Sequence, residues 1–211
     1  MKLETILNEL RNANDNVNEL KKLELKLIES IKKETIKESG GSVKRYNAAK
    51  KLLNDKVSKS RPILQTVKIE NDTQRFTNSY VAFMLKGKNI IQGLPETDPE
   101  ATYPSFDKLI PNHESKRLFN KKDIIKAIKT SKEFILLQLD IDTHVYIDKK
   151  YMQFMLDIMI LDNDFIIHYK KNSTFRPLII KNDNNDTCIL MPVKREETDP
   201  TNEIQIVNAI N

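Results

Sequence analysis

The stretch that decides the fold is residues 146–194, which read YIDKKYMQFMLDIMILDNDFIIHYKKNSTFRPLIIKNDNNDTCILMPVK. Apolar residues recur at helical spacing over 148–160, and this pattern predicts an amphipathic helix. Its apolar face would consist of Tyr151, Phe154, Met155, Ile158 and Met159. Apolar segments at 164–171, 176–181 and 187–194 then predict three strands, with Asn182-Asp183-Asn184-Asn185 as the turn between the last two.

The chain upstream of this stretch has a related organisation. A helix is predicted at 43–58, with Tyr46, Ala49, Leu53 and Val57 on one face. Strands follow at 63–70, 75–85 and 88–94, and then a Pro-rich connector at 95–111. A helix at 120–132, with Ile124, Ile125 and Ile128 on its inner face, leads to strands at 133–140 and 143–147. Helices and strands alternate too loosely for a doubly wound parallel sheet, so we expect an α+β fold with antiparallel sheets and packed helices.

Residues 2–38 predict an N-terminal coiled-coil-like helix. Its apolar seam consists of Leu3, Leu7, Leu10, Val17, Leu20, Leu27 and Ile31. Charges of alternating sign fill the other faces, and Gly40-Gly41 marks the end of the helix. A helical hairpin is also possible, because Asn12–Asn16 is a weak helical segment. We therefore expect a helical oligomerisation segment at 1–40, an α+β domain at 43–195 and a C-terminal tail at 196–211.

The basic charge is concentrated in one segment. Residues 39–60 hold six Lys or Arg and one Asp, which accounts for the formal net charge of +5, since the flanking regions balance. Such a segment indicates a polyanionic partner, either nucleic acid or a membrane surface. No apolar run reaches the roughly 18–20 residues of a membrane span, and the N-terminus lacks a signal-peptide pattern. We expect a cytoplasmic protein in which Cys188, the only cysteine, is a buried thiol.

Several short segments carry a resemblance to a known family. They are the connector Tyr103–Pro111 (YPSFDKLIP), Tyr146–Met152, Arg176–Ile180, Ile189–Lys194 and, more weakly, Arg61–Leu64. Together they resemble the bacterial DNA sliding clamps, the beta subunit of DNA polymerase III, over roughly 43–195. A clamp subunit has three such domains, whereas this chain has room for little more than one. Residues 1–38 have no clamp counterpart, and the chain continues past Arg195. The resemblance therefore implies a short, divergent, roughly single-domain relative.

The resemblance implies a hydrophobic pocket that binds short peptides of replication and repair proteins. The corresponding residues are Pro104, Lys108, Leu109, Ile189, Met191 and Pro192. The residues themselves suggest a second surface, because two predicted helices carry lysines opposite an apolar face. Those lysines are Lys44, Lys51, Lys122, Lys126 and Lys129. Lysines in this arrangement neutralise phosphates without reading sequence. We expect a non-enzymatic protein without a cofactor that tethers a partner to double-stranded DNA.

Other interpretations stay open. The lysines are equally consistent with a solvated helix face, and Ile189 with ordinary core packing. An interaction module with the same helix and pocket would modulate replication proteins without binding DNA. A metal-dependent nuclease is a third possibility, because Asp140, Asp142 and His144 alternate and would share one face of a strand. No further ligand at helical spacing completes that site, and a polar turn explains these residues equally well.

Overall fold

The computed structural model describes residues 5, 8–9, 17–38, 42–106, 110, 115–194 and 205–210. Its helices are α1 (Val17–Glu38), α2 (Val43–Leu53), α3 (Lys56–Lys59), α4 (Lys121–Thr130) and α5 (Lys149–Ile158), with 3-10 helices at Pro62–Gln65 and Gly87–Asn89. Its strands are β1 (Lys68–Glu70), β2 (Thr73–Thr77), β3 (Val81–Lys86), β4 (Ser115–Asn120), β5 (Phe134–Asp140), β6 (Thr143–Asp148), β7 (Asp164–Tyr169), β8 (Leu178–Lys181), β9 (Thr187–Leu190) and β10 (Gln205–Asn208).

The strands form two sheets. The larger sheet has the order β1-β2-β3-β9-β8-β7-β4, and all its neighbouring strands are antiparallel. The smaller sheet has the order β10-β5-β6, in which β5 and β6 are antiparallel and β10 runs parallel to β5. The predicted α+β class with antiparallel sheets and packed helices is therefore confirmed.

The helices form one layer against the sheets. In this helical layer α5 lies between α2 and α4, and α1 packs against α2. The main core fills the space between the layer and the sheets. Side chains of a strand alternate between its two faces, so on β3 only Val81, Phe83 and Leu85 enter this core. Ala82 and Met84 point to the opposite face, where Phe106 of the connector covers them in a smaller cluster.

Four helices begin directly after a residue whose side chain caps the first turn. Ser42, Asp55, Asn120 and Asp148 each accept a backbone N–H of the first turn of the following helix, as preferred N-cap residues do. Asp55 explains one difference from the predicted helix at 43–58. Its carboxylate accepts the N–H groups of Val57 and Ser58, each at 2.9 Å, so a new short helix starts after a break at Asn54.

Several predicted strands differ from the structure. The segment 63–70 begins as a 3-10 helix, because Pro62 at its first turn favours a helical start, and only Lys68–Glu70 is a strand. The segment 75–85 splits into β2 and β3 around a turn at Asn78. The strand predicted at 88–94 is absent. Buried Gln74 accepts the Ile91 N–H at 3.0 Å and donates to the Ile91 carbonyl at 2.9 Å, so a side chain takes the place of a neighbouring strand.

Two strands were not predicted. One of them is strand β4, which precedes α4. On α4, Ala127 is buried while Ile125 is 36% exposed, so Ile125 does not belong to the inner face for which it was predicted. Strand β10 lies within the expected tail at 196–211. Its residues pair with Ile135–Gln138 of β5, and Val207 is buried in the main core. Ile210 then bridges to Leu118 of β4. Residues 205–210 therefore pair with β5 and contact β4.

The N-terminal helix follows the predicted seam only in part, since Leu20 and Leu27 are half-buried. Leu3, Leu7 and Leu10 lie outside the described residues. Leu23 and Ile36 are buried, whereas Val17 and Ile31 are exposed. Glu29 of α1 also lies 2.5 Å from Lys50 of α2. The described half of this segment thus packs on the domain and leaves apolar side chains facing solvent.

Two further features concern the chain as a whole. Cys188 is buried and unpaired, as predicted, and burial raises the pKa of its thiol. Among the described residues, no helix combines the length and the apolar composition needed to cross a membrane.

Candidate functional site

A groove with a cavity volume of about 270 Å³ opens where the connector, the β2–β3 turn and the end of β9 meet. Apolar side chains dominate its surface. The groove is lined by Arg61, Ile63, Leu64, Thr77, Ser79, Tyr80, Val81, Ala82, Pro104, Ser105, Phe106, Ile189 and Met191. It lies on the sheet face opposite the helical layer, next to the smaller apolar cluster.

The segments around the groove are tied together by specific contacts. The Met191 N–H donates to the Tyr80 carbonyl at 2.9 Å, which joins the end of β9 to the β2–β3 turn. The Tyr103 hydroxyl donates to the Thr66 carbonyl at 3.2 Å, and burial raises the pKa of this phenol. The Tyr103 ring meets the ring of buried Phe106 edge-on, with centroids 6.3 Å apart. These contacts hold the first part of the connector against the sheet.

A buried polar network supports the turn that forms one wall of the groove. The Asn78 side-chain oxygen accepts the N–H groups of Tyr80 and Val81, each at 3.1 Å. The Asn78 amide nitrogen donates to Asp55 at 2.6 Å, and Lys150 of α5 donates to the same carboxylate oxygen at 3.3 Å. Burial by itself would raise the pKa of Asp55. Hydrogen bonds from Ser58, Asn78 and Lys150 outweigh burial and lower it.

The groove wall also contacts the helical layer through aromatic rings. Tyr80 stacks on Tyr151 of α5 with centroids 5.3 Å apart and ring planes 9° apart. The Lys150 ammonium lies 5.5 Å from the centre of the Tyr151 ring. Burial, followed by the negative charges of Asp148 and Asp55, raises the pKa of Tyr151 to about 12. Tyr151 therefore stays neutral at physiological pH and serves as a packing surface for Tyr80.

The lysines of the helical layer fall into two groups. Lys122, Lys126 and Lys129 are exposed on one side of α4, within about 60° of one another around the helix axis. We call these three residues the lysine stripe. Like exposed Lys51 on α2, they form no ion pair with any described residue. Lys44 is different, because its side chain is 75% exposed but its ammonium lies 2.7 Å from Asp157 of α5.

This chain is similar to known proteins in its fold and not in its sequence. No protein-family model and no curated protein matches the sequence. A sliding clamp of Bartonella birtlesii, solved bound to griselimycin, superposes with a TM-score of 0.52 and 11% identity over 72% of this chain and 64% of that one. The Helicobacter pylori beta clamp bound to a DNA ligase peptide superposes with a TM-score of 0.51 and 12% identity over 72% and 63%. This chain has the sliding-clamp fold.

A third clamp gives the same result. The DNA polymerase III beta subunit of Borrelia burgdorferi, solved in complex with a natural product, superposes with a TM-score of 0.51 and 14% identity, covering 72% of this chain and 62% of that one. The chain thus spans less than two thirds of the length of the clamps it matches. At these identities the likeness concerns the fold, and the clamp-like fold expected from the sequence motifs is confirmed.

The clamp-like fold brings part of the predicted pocket together. Pro104, Ile189 and Met191 all line the groove. Ile189 is 2% exposed and belongs to the smaller apolar cluster, so its side chain both lines the groove and packs within that cluster. Pro192 follows Met191 and is half-buried, but it does not line the groove. Lys108 and Leu109 lie outside the described residues.

Sequence reasoning missed other residues of the groove. Arg61, Ile63 and Leu64 also line it. They belong to the weaker motif Arg61–Leu64, from which the sequence predicts no pocket residue. Tyr80 was missed for a different reason. Residues 75–85 were predicted as one strand, although Asn78-Ser79 is a turn signal.

The three residues of the nuclease alternative do not form a metal site. Asp140 lies 3.5 Å from Arg117 and 3.6 Å from Lys171, and it accepts the Tyr169 hydroxyl at 3.2 Å. The Ile141 N–H, then Tyr169 and these cations, lower the pKa of Asp140. The part of the chain that the structure describes contains no cluster of three or more His, Cys, Asp or Glu side chains placed to hold a metal ion.

Proposed function

We propose that this protein is a non-catalytic, clamp-like docking protein whose groove binds a short apolar segment of a replication or repair protein. The observation that carries the proposal is the meeting of Pro104, Ile189 and Met191 at one apolar groove. The Helicobacter pylori clamp, which shares the fold, was solved bound to a DNA ligase peptide. Methionine suits such a role because its flexible thioether adapts to different apolar side chains.

A peptide with a Gln-Leu-x-Leu-Phe motif is expected to bind the groove with micromolar affinity, because so short a segment buries little area. Met191→Ala should weaken binding by about 1–2 kcal/mol if Met191 anchors the peptide. Leu109→Ala should have a similar effect if this residue completes the groove. Isothermal titration calorimetry measures the affinities, and thermal unfolding measures the stability of each variant.

Met84→Ala is the matched control, because Met84 belongs to the same apolar cluster but does not line the groove. This truncation should cost stability, roughly 2–5 kcal/mol as for buried methionines, and leave the affinity of the folded protein unchanged. If the wild type binds no such peptide and Met191→Ala destabilises as much as Met84→Ala, then Met191 is a core residue and the docking function is wrong.

We further propose that the helical layer faces double-stranded DNA without sequence preference. The lysine stripe and Lys51 support this, because they are exposed on α4 and α2, the two helices that flank α5, and have no described counter-ion. Lys44 would contribute to DNA binding only if a DNA phosphate replaced Asp157 as the partner of its ammonium group. The interaction module that does not bind DNA is the second candidate. The ion pairs Lys44–Asp157 and Lys50–Glu29 favour it, because they neutralise part of the basic segment within the chain.

The N-terminal helix is proposed to mediate self-association. Val17, Ile28 and Ile31 are exposed and fall within about 60° of one another around α1. Replacing Ile28 and Ile31 with Asp should abolish a dimer formed through this stripe, because buried unpaired charges are costly. Light scattering at tens of micromolar protein measures the mass. Asp in place of exposed Lys22 and Lys37 is the control, and a wild-type monomer would contradict the proposal.

A further inference from the structure

A second cavity, larger than the groove, opens where α1 ends, α2 begins and α5 ends. Ile36, Ser42 and Ile160 line it near these three helix ends, and the segment 87–92 after β3 also lines it. None of its described lining residues lines the groove. Its volume of about 820 Å³ lies within the roughly 300–1,000 Å³ of pockets that enclose a small ligand. The cavity is therefore large enough for a small molecule and separate from the proposed peptide site.

Isoleucines form the apolar part of the cavity wall. Ile36 and Ile91 are buried in the main core, and Ile90 is half-buried. Ile160, just after α5, is 49% exposed. No aromatic side chain is among the described lining residues, whereas flat rings favour aromatic neighbours. The wall therefore favours an aliphatic chain, because such a chain leaves water as it packs against the isoleucines.

Two cations line the same cavity, and its described lining contains no carboxylate. Lys88 is exposed, and its ammonium forms no ion pair with a described residue. Arg45 of α2 is half-buried, and its guanidinium is held in one orientation. Its Nε donates to the Ile158 carbonyl at 2.7 Å, and its Nη2 donates to the Asn89 carbonyl at 2.9 Å. The cavity therefore has one positive charge in a fixed position and a second on a flexible lysine side chain.

The positive charge of Arg45 is not neutralised by the part of the chain that the structure describes. Its Nη1 donates to no described residue, and no described carboxylate forms an ion pair with the guanidinium. The Asp186 carboxylate instead accepts the side-chain amides of Asn89 and Asn182 at 2.7 and 2.8 Å. Burial lowers the pKa of Arg45, and the negative charge of Asp186 offsets this effect only in part. Nη1 is therefore a free donor on a partly desolvated cation, where an anion is attracted more strongly than in bulk water.

We propose that this cavity binds an amphiphilic anion, a small molecule that carries a carboxylate or phosphate group at one end of an aliphatic chain. The anionic group accepts a hydrogen bond from Arg45 Nη1 and lies near the Lys88 ammonium, while the chain packs against the isoleucines. Hydrogen bonds between ionised partners are the stronger ones, and each buried methylene adds to the affinity. This inference goes beyond peptide docking and DNA binding and depends on neither.

The test titrates small probes into the full-length ¹⁵N-labelled protein and follows the amide signals by NMR. We expect octanoate and octyl phosphate to bind at one site, with the largest shifts at residues 87–92. Octanoate should bind about tenfold more tightly than hexanoate, because two more methylenes are buried. It should also bind about tenfold more tightly than octanol, which lacks the charge. Inorganic phosphate, which lacks the chain, should bind at least about tenfold more weakly than octyl phosphate.

Three variants separate the charges from the fold. Arg45→Gln should weaken octanoate binding about tenfold, but it also removes hydrogen bonds to two carbonyls and so lowers stability. Lys88→Gln avoids this complication because Lys88 is exposed; it should keep the stability and weaken octanoate about threefold. Ile160→Glu, also at an exposed position, should weaken octanoate by like-charge repulsion. Lys86→Gln is the matched control, because Lys86 is exposed but does not line the cavity, and it should change no affinity.

Several outcomes overturn the inference. They are equal binding of octanoate and octanol, no dependence on chain length, and unchanged octanoate binding in both Lys88→Gln and Ile160→Glu. Octanoate shifts centred outside residues 87–92 also overturn it. Co-sedimentation with phosphatidylglycerol vesicles, without binding of octanoate or octyl phosphate in solution, would mean that a membrane surface is bound instead. Each of these results leaves the proposed docking function and DNA binding as they are.

Discussion

Replacement of Asp55 by Ala is expected to lower the free energy of unfolding by about 3 kcal/mol, although Asp55 lies outside the groove. Its side chain is 4% exposed and accepts hydrogen bonds from Val57, Ser58, Asn78 and Lys150. Loss of an N-cap costs roughly 1 kcal/mol. The Asn78 amide, left buried without its partner, costs about 1–3 kcal/mol more. Lys150 adds little because it is half-exposed, and exposed pairs contribute at most about 1 kcal/mol.

Chemical denaturation of wild type and Asp55→Ala measures this difference. Asp148→Ala is the matched control, because Asp148 caps α5 through one hydrogen bond, from the Lys150 N–H at 2.7 Å, without a buried network. That variant should lose only about 1 kcal/mol. If the two variants lose the same amount, the network behind the groove contributes nothing beyond capping.

The effect of Asp55 should depend on pH. Its pKa is lowered in the folded state, so the unfolded chain binds the proton more readily. The stabilisation is therefore complete above the unfolded pKa of about 4 and is lost as the pH falls through the folded pKa. The difference between wild type and Asp55→Ala should shrink below about pH 4. A constant difference down to pH 2 would show that the ionised form is not what stabilises the turn.

Some elements of this fold follow from local sequence signals, and others depend on tertiary contacts. Helix α5 and the strands after it were predictable, because periodicity and the Asn-rich turn act over a few residues. The absent strand at 88–94 was not predictable in this way. Its apolar residues fit a strand, yet Gln74, distant in sequence, satisfies the Ile91 backbone in place of a strand. Strand β10 was missed for a similar reason, because four residues paired in parallel to β5 carry little pattern of their own.

The residues of the candidate site likewise fall into those that local patterns predict and those that tertiary contacts place. Pro104 and Met191 were found because each lies in a segment that resembles the clamp family. Tyr80 and Arg61 come to the groove through contacts with Tyr151 and Ser79 that no local pattern contains. The lysine stripe was predictable because helical spacing alone places its members on one face. The pairing of Lys44 with Asp157 was not, because it depends on how α2 and α5 pack.

The stacked rings of Tyr80 and Tyr151 have a consequence for the two proposed surfaces. Tyr80 lines the groove, while Tyr151 belongs to α5, which is part of the helical layer. A variant that alters one surface must therefore be tested for damage to the other. The lysine stripe avoids this complication, because α4 does not line the groove and its three lysines have no described ion pairs to lose.

Reversal of Lys122, Lys126 and Lys129 to Glu is expected to produce the largest change in binding, a loss of duplex DNA affinity of about 500-fold, or roughly 4 kcal/mol. The estimate follows from counter-ion release. Each phosphate contact strengthens binding by about eightfold when the salt concentration falls tenfold, from ~1 M to ~0.1 M, and three such contacts together contribute about 500-fold. The slope of log affinity against log salt should fall by about 3. Fluorescence anisotropy with two duplexes of unrelated sequence, starting from ~50 mM salt, measures both quantities.

The matched control reverses three exposed lysines outside the helical layer, namely Lys86, Lys88 and Lys181. Both triple variants change the net charge equally, so any effect of overall charge on DNA binding appears in both. Only loss of direct phosphate contacts makes the α4 variant much weaker and its salt slope smaller. Equal losses in the two variants would mean that DNA responds to net charge alone. If the wild type does not bind duplex DNA at low salt, the interaction module without DNA becomes the better account of this clamp-like fold.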